Sequence, residues 1–107
     1  MAEAKPVAER VEKIMSIRPG EFEAGIARLD AAAQQTTAGG ITRHVIDHPA
    51  AGGASVAITF EKLEPAVLGG LMRLPRARVT LELADLAPDA RRAFLGVFDQ
   101  TFQRGGG

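Results

Sequence analysis

Residues 55–63 read SVAITFEKL, and residues 76–83 read RARVTLEL. In both stretches bulky apolar side chains alternate with small or polar ones, so that every second residue points to the same side of an extended chain. Alternation this regular indicates two strands of an antiparallel sheet with one buried face and one solvent-exposed face. The predicted buried positions are Val56, Ile58, Phe60, Ala77, Val79, Leu81 and Leu83.

A third strand is predicted over residues 41–47, ITRHVID, because four of these seven side chains are β-branched. This strand is expected to pair with residues 55–63 across a loose loop, residues 48–54. A loop of that length fixes the register poorly, so the side chains must set it. The glycine pairs Gly39-Gly40 and Gly52-Gly53 mark turns between elements.

Residues 88–103 predict an amphipathic helix. Pro88 suits the first turn, where its missing N–H is no loss, and Asp89 favours the positive end of the helix dipole. Arg91 interrupts the apolar face. Either its methylene groups pack against the core while its guanidinium reaches water, or its guanidinium binds a carboxylate or an anionic ligand. The apolar face comprises Ala90, Phe94, Leu95, Val97, Phe98, Thr101 and Phe102.

A second helix is predicted from Pro19 to about Gln34. It begins at a proline, and Glu21 and Glu23 follow near its N-terminus. Its apolar residues recur at helical spacing along one narrow stripe, which indicates a helix that docks on the sheet. The stripe comprises Phe22, Ile26, Leu29 and Ala33.

Two segments leave the choice between helix and strand open. Residues 66–74, AVLGGLMRL, fit a helical stripe, but Gly69-Gly70 would cost so short a helix about 2 kcal/mol relative to alanine. A strand that bends at the glycine pair is therefore favoured. Residues 6–17 suit either a weak helix or a helix followed by a short strand over residues 14–17.

These elements predict a two-layer α+β domain over residues 1–104. A sheet of three to five antiparallel strands is expected to pack against the helices at about 19–34 and about 88–103. Residues 105–107 are all glycine and are expected to fray.

The composition excludes several kinds of function. The 107 residues include 13 basic and 13 acidic side chains, and a net charge of zero gives no general attraction to nucleic acid. Because there is no Cys, the chain has no disulfide, thiolate metal site or Cys nucleophile. It has no apolar run of about 18 residues, so no membrane span is expected. A cytoplasmic location is favoured because residues 1–13, MAEAKPVAERVEK, mix acidic and basic side chains and lack the apolar core of a signal peptide. No cofactor is expected, since neither a G-x-G-x-x-G nor a P-loop pattern occurs.

His44 and His48 are the candidate catalytic or metal-binding pair. On a helix they would lie one turn apart, but Val45, Ile46 and Pro49 favour an extended chain. On a strand, positions four apart are separated by about 13 Å. That separation is too long for one zinc ion with bonds of about 2 Å, so no metal site is expected.

Arg73, Arg76 and Arg78 form the most basic segment, with Arg73 placed just before a predicted turn at Pro75. Arg76 and Arg78 are predicted to point the same way. Without aromatic partners the three arginines are a weak signature of nucleic-acid binding. A solvated sheet edge is the simplest interpretation of these arginines, and an acidic protein partner or another anion is the alternative.

Residues 66–74 carry more apolar surface than one covered sheet face absorbs. Either the N-terminal helix covers this surface, or it meets a ligand or another chain. A homodimer with twofold symmetry is a common solution for a chain of this size. The candidate interface residues are Val67, Leu68, Leu71 and Met72.

The leading prediction is a small non-enzymatic binding or accessory module that self-associates and engages a protein or small ligand. It would act through the sheet face or residues 66–74. One alternative is a small enzyme that uses His44, Asp47 or His48 with Arg76 and Arg78 binding an anion. Another is weak nucleic-acid binding through Arg73, Arg76 and Arg78. The candidate ligand- or partner-binding residues are His44, His48, Arg73, Arg76, Arg78 and Arg91.

Overall fold

Five antiparallel strands and two helices make up residues 9–103, the part of the chain that the computed structural model describes. The strands are β1 (Arg10–Met15), β2 (Gln34–Ala38), β3 (Ile41–Asp47), β4 (Ser55–Leu68) and β5 (Met72–Glu82). The helices are α1 (Pro19–Leu29) and α2 (Pro88–Thr101), and a 3₁₀ turn covers Pro49–Ala51. The sheet order is β1-β5-β4-β3-β2, which confirms the predicted two-layer α+β class.

Both helices cover the same face of the sheet. All the strand positions predicted to be buried are at most 6% exposed, as expected from the alternation of residues 55–63 and 76–83. The ring of Phe22 in α1 lies 5.1 Å from that of Phe102, just after α2, and 4.7 Å from that of Phe60 in β4. One aromatic cluster therefore joins the two helices to the centre of the sheet.

Helix α1 ends at Leu29, which corrects the predicted end near Gln34. The next residue, Asp30, has an extended conformation, and its carboxylate accepts the N–H groups of Ala32 (2.9 Å) and Asp47 (2.8 Å). An aspartate that binds nearby backbone groups in this way competes with helix formation. The hydrogen bonds, first from Asp47 and then from Ala32, lower the pKa of Asp30 below its ordinary value.

Strand β2 was not predicted, because its five side chains are all exposed and show no apolar alternation. Its only β-branched residues are Thr36 and Thr37. It pairs with β3 across Gly39-Gly40, whose φ angles of 60° and 81° lie in the left-handed region that a two-residue hairpin turn requires. The predicted glycine turn is thus the bend of an edge hairpin.

Strand β1 corrects the helical interpretation of residues 6–17 over the part of that range that is described. Val11 and Met15 pack against the core, and Lys13 on the same side forms an ion pair with Asp99 of α2 (3.2 Å). The pairing of β1 with β5, remote in sequence, overrides the weak local helical pattern. Residues 6–8 lie outside the described range.

The predicted strand over residues 41–47 is confirmed, as is its pairing with residues 55–63. The intervening loop contains the 3₁₀ turn, and Ala51 within it is buried. Asp47 lies opposite Ser55, and the Ser55 hydroxyl donates to the Asp47 carboxylate at 2.6 Å. A side-chain hydrogen bond therefore helps to fix the register across this long loop.

The strand interpretation of residues 66–74 is also correct, but the glycine pair reverses the chain instead of bending one strand. β4 continues to Leu68 and β5 begins at Met72, with Gly69 and Gly70 at φ 62° and 75° in the turn between them. The predicted glycine tail, residues 105–107, lies outside the described range. Within residues 9–103, no helix is long and apolar enough to cross a bilayer.

Candidate binding surface

β4 and β5 extend well beyond their neighbours in the sheet. β3 pairs with β4 only as far as Glu61, and β1 pairs with β5 only as far as Ala77. Residues 63–76 therefore form a projecting two-stranded hairpin, which we call the arm. An isolated two-stranded hairpin is marginally stable in water, so a projecting one commonly gains from packing against something else.

The arm carries the predicted interface residues, and all four of them are exposed. Val67 is 56% exposed, Leu68 49%, Met72 57%, and Leu71 in the turn 96%. No helix of residues 9–103 covers them, so the alternative in which a helix of this part of the chain buries the segment is wrong. A cluster of exposed apolar side chains commonly marks an interaction site.

The two faces of the arm differ in chemistry. Leu68 lies opposite Met72, and Ala66 lies opposite Leu74, so these four residues share one face. Val67 lies opposite Arg73, and this pair shares the other face, the side on which the helices lie. Over residues 66–74 the arm therefore has one uncharged apolar face, which we call its uncharged face, and one face that carries a cation. Arg76, at the base of the arm, lies on the same side as the uncharged face but beyond its end.

Alternation along β5 also separates the three predicted arginines. Arg73 lies on the helix side, whereas Arg76 and Arg78 lie on the open face of the sheet. Arg78 contacts the carboxylates of Glu12 (2.8 Å) and Glu61 (2.9 Å). The hydrogen bond and charge of Glu61, more than those of Glu12, raise the pKa of Arg78. The structure therefore does not gather the three into one basic patch.

The turn predicted at Pro75 is wrong, because Pro75 lies within β5. Glu64 and Pro65 of β4 form a bulge opposite it, at the register shift between Leu63 and Ala66. Proline has no N–H to donate, so Pro65 and Pro75 make the base of the arm a poor edge for a further strand.

His44 lies at the floor of a small cavity between α1 and β3. The residue is only 2% exposed, and its ring lies 5.5 Å from that of Phe22. Burial lowers the pKa of His44, and the charge of Glu23 opposes this shift only in part, so the imidazole is neutral near neutral pH. The cavity, of about 170 Å³, is also lined by Glu23 and Lys62.

His48 has a local structural role. Its Nδ1 accepts the N–H of Ala50 at 3.0 Å and so caps the 3₁₀ turn that begins at Pro49. Its ring lies 6.2 Å from that of Phe94 in α2. His44 contacts α1 and His48 contacts α2, so the structure does not bring the two histidines to a common ligand.

Arg91 binds the chain that connects β5 to α2. Its Nε donates to the carbonyls of Leu83 (3.1 Å) and Leu86 (3.0 Å), and its Nη2 lies 3.9 Å from the Glu9 carboxylate. The side chain is 13% exposed. The guanidinium therefore fastens the loop before α2, and the predicted contact with a carboxylate is made with Glu9.

The side chains of the predicted enzyme alternative are also dispersed. Asp47 lies on the open face, where its carboxylate accepts the Ser55 hydroxyl, whereas His44 is buried beneath α1. Arg78 is held by Glu12 and Glu61. Within residues 9–103, no three His, Asp or Glu side chains form a group that could hold a metal ion.

A cluster that the sequence did not suggest lies at the base of the arm. Arg18, Lys62 and Arg73 line one cavity of about 280 Å³, where the start of α1 faces the arm. They are remote in sequence, and only the docking of α1 beside β4 and β5 brings them together. Comparison of the chain with protein-family models, curated proteins and solved structures found no match.

Proposed function

We propose that this chain is a non-enzymatic binding module that forms a homodimer through the uncharged face of its arm. The observation that supports this most directly is the exposure of Leu68 and Met72 on one face with no charged residue between them. Complete burial of such a side chain contributes roughly 1.5–3 kcal/mol, and Leu68 and Met72 leave about half of their surface exposed in the monomer.

A second copy fits this surface better than a charged partner does. In a dimer with twofold symmetry the same patch meets itself, so any charge on the patch would face a like charge. The face formed by Ala66, Leu68, Met72 and Leu74 avoids that repulsion, whereas the opposite face would bring two copies of Arg73 together. Because Pro65 and Pro75 weaken the strand edges, we expect contact through side chains instead of strand addition.

A cytoplasmic location is part of the same proposal. It rests on the absence of Cys from the sequence, since proteins of oxidising compartments commonly rely on disulfides.

The experiment is the solution mass by sedimentation equilibrium and light scattering over a range of protein concentration. Met72→Glu places a carboxylate in the proposed interface, so it should convert the dimer to a monomer with an unchanged circular dichroism spectrum. Val67→Glu is the matched control, because Val67 is equally exposed but lies on the opposite face, beside Arg73. It should remain dimeric.

A wild-type monomer at all concentrations would overturn the proposal. A dimer that Val67→Glu and Met72→Glu dissociate equally would overturn the assignment to the uncharged face. If Met72→Glu unfolds the chain, Met72→Ser provides the same test with a smaller change, because Met72 is exposed and not part of the core.

A further inference from the structure

Most cations in the described part of the chain are already engaged. Ion pairs hold Arg10 to Glu82, Lys13 to Asp99, Arg92 to Asp89, and Arg78 to two glutamates. Arg28 donates to the carbonyl of Thr101, and Arg91 binds the loop before α2. Five other cations have no carboxylate of residues 9–103 within 4.0 Å. Two of them, Arg43 and Arg76, lie on the open face of the sheet, whereas Arg18, Lys62 and Arg73 lie around one cavity.

These three cations converge on one concave site from three separate elements. Arg18 precedes α1, Lys62 lies on β4 and Arg73 on β5, and all three line the cavity of about 280 Å³. No acidic residue lines it. Three like charges around one cavity repel one another, and an anion between them relieves that repulsion.

The rest of the cavity lining is apolar. It consists of Leu63 together with three prolines, Pro19, Pro65 and Pro75. Prolines form a rigid wall, so the shape of the cavity is largely set before a ligand arrives. A site of apolar walls and a few converging charges favours a ligand with an anionic head and an apolar body.

The end of α1 is not the source of this site. Pro19, its first residue, has no N–H, and the N–H of Arg18 already donates to the Glu21 carboxylate at 3.1 Å. Glu23 lines the neighbouring cavity with Lys62 but does not pair with it. Attraction for an anion therefore depends on the three side chains.

We propose that this cavity, formed by Arg18, Lys62 and Arg73, binds a small organic anion with an apolar body, either a carboxylate or a phosphate monoester. The anionic head lies among the three cations, and the apolar body lies against the prolines. At about 280 Å³ the cavity is at the lower limit of ligand pockets, which are roughly 300–1,000 Å³, so the ligand is small. The site lies on the helix side of the arm and does not depend on the proposed dimer.

The experiment measures binding of four probes to the wild-type chain by isothermal titration calorimetry. The probes are hexyl phosphate, hexanoate, inorganic phosphate and the neutral 1-hexanol. We expect one or both of the first two to bind more tightly than inorganic phosphate and 1-hexanol. Which of the two binds more tightly identifies the head group.

The variants Lys62→Met and Arg73→Met remove one charge each and keep an unbranched stem. Each should raise the Kd of the tighter probe about tenfold, the effect of losing one charge-assisted contact. Arg43→Met is the matched control, because Arg43 is exposed and unpaired among residues 9–103 but lies on the open face of β3. It should leave the Kd unchanged, and Met72→Glu should do the same.

Equal weakening by Arg43→Met would show non-specific charge attraction and overturn the proposed site. Absence of binding by both amphipathic probes would also overturn it, as would equally tight binding of 1-hexanol. Inorganic phosphate that binds as tightly as hexyl phosphate would remove the role of the apolar wall. Thermal unfolding of each variant checks that it is folded, and Lys62→Gln and Arg73→Gln replace any methionine variant that is not.

Discussion

Gly25 of α1 packs directly against the ring of Phe102, which follows α2. A Cβ atom added to Gly25 would lie 2.5 Å from Phe102 Cζ, whereas one added to Gly96, within α2, would have no heavy atom within 4 Å. Because Gly25 has no side chain, the Phe102 ring is able to lie directly against α1, and the same ring also stacks on that of Phe22.

The first prediction compares these two glycines. Alanine favours a helix over glycine by about 1 kcal/mol, so Gly96→Ala should raise the free energy of unfolding by up to that amount. Gly25→Ala should lower it by roughly 1–3 kcal/mol, because the added methyl forces the Phe102 ring to move. Urea unfolding measures both. If the two variants changed stability in the same direction, the close packing of α1 on Phe102 would be wrong.

The second prediction concerns the core contribution of α2. Phe98 is 1% exposed, and its ring lies 4.6 Å from that of Phe102. Phe98→Ala should lower the free energy of unfolding by about 3–5 kcal/mol, because it leaves a cavity as well as losing buried apolar surface. Phe98→Leu fills most of that volume and should cost less. Equal losses in the two variants, measured by thermal unfolding, would contradict this packing.

The third prediction is a pH dependence of stability that arises from His44. In the unfolded chain His44 has its ordinary pKa, 6.5, whereas burial lowers the pKa of His44 in the folded chain. Between the two values the unfolded state binds more protons, so stability falls as the pH falls through that window. His44→Leu should flatten this part of the profile. Urea unfolding between about pH 5 and 8 tests it, and an unchanged slope in the variant would exclude His44 as the cause.

The fourth prediction uses two neighbouring arginines of α2. Arg91 donates to the carbonyls of Leu83 and Leu86, which lysine does not reach in the same geometry, so Arg91→Lys should cost about 1–3 kcal/mol. Arg92 pairs at the surface with Asp89, and Arg92→Lys should cost less than about 0.5 kcal/mol. The melting temperatures of the two variants provide the test. If both variants lowered the melting temperature by a similar small amount, Arg91 would not fasten the loop.

The central strands could be predicted because their signal is local. Ile58 and Leu81 lie on strands with one buried and one open face. On such strands apolar and polar side chains alternate, and this alternation is visible in the sequence. β2 does not show this alternation. Both of its faces are exposed to water, so neither face needs apolar side chains. The end of α1 was missed for a related reason. The alanines after Asp30 favour a helix, and the hydrogen bonds that the Asp30 carboxylate accepts from Ala32 and from the distant Asp47 oppose it.

The candidate sites were harder to predict, because neighbours in sequence are a poor guide to neighbours in a sheet. Arg73, Arg76 and Arg78 look like one patch, yet alternation puts Arg73 on the opposite face and two glutamates neutralise Arg78. Arg18, Lys62 and Arg73 share a cavity only once α1 has docked. The apolar surplus of residues 66–74, in contrast, was a property of composition, although only the structure shows that the surplus is exposed and not covered by a helix.

The pairing of β1 with β5 also has a consequence for synthesis. Arg10 and Glu82, an ion pair across these strands, are 72 residues apart in sequence. At roughly 5–20 residues per second, the ribosome needs about 4–14 s to make the partner strand after the first one. During that interval β2, β3 and β4 are able to form hairpins, while β1 remains unpaired because its partner β5 has not yet been synthesised. The nascent chain therefore carries an unmatched edge until almost the whole domain has been translated.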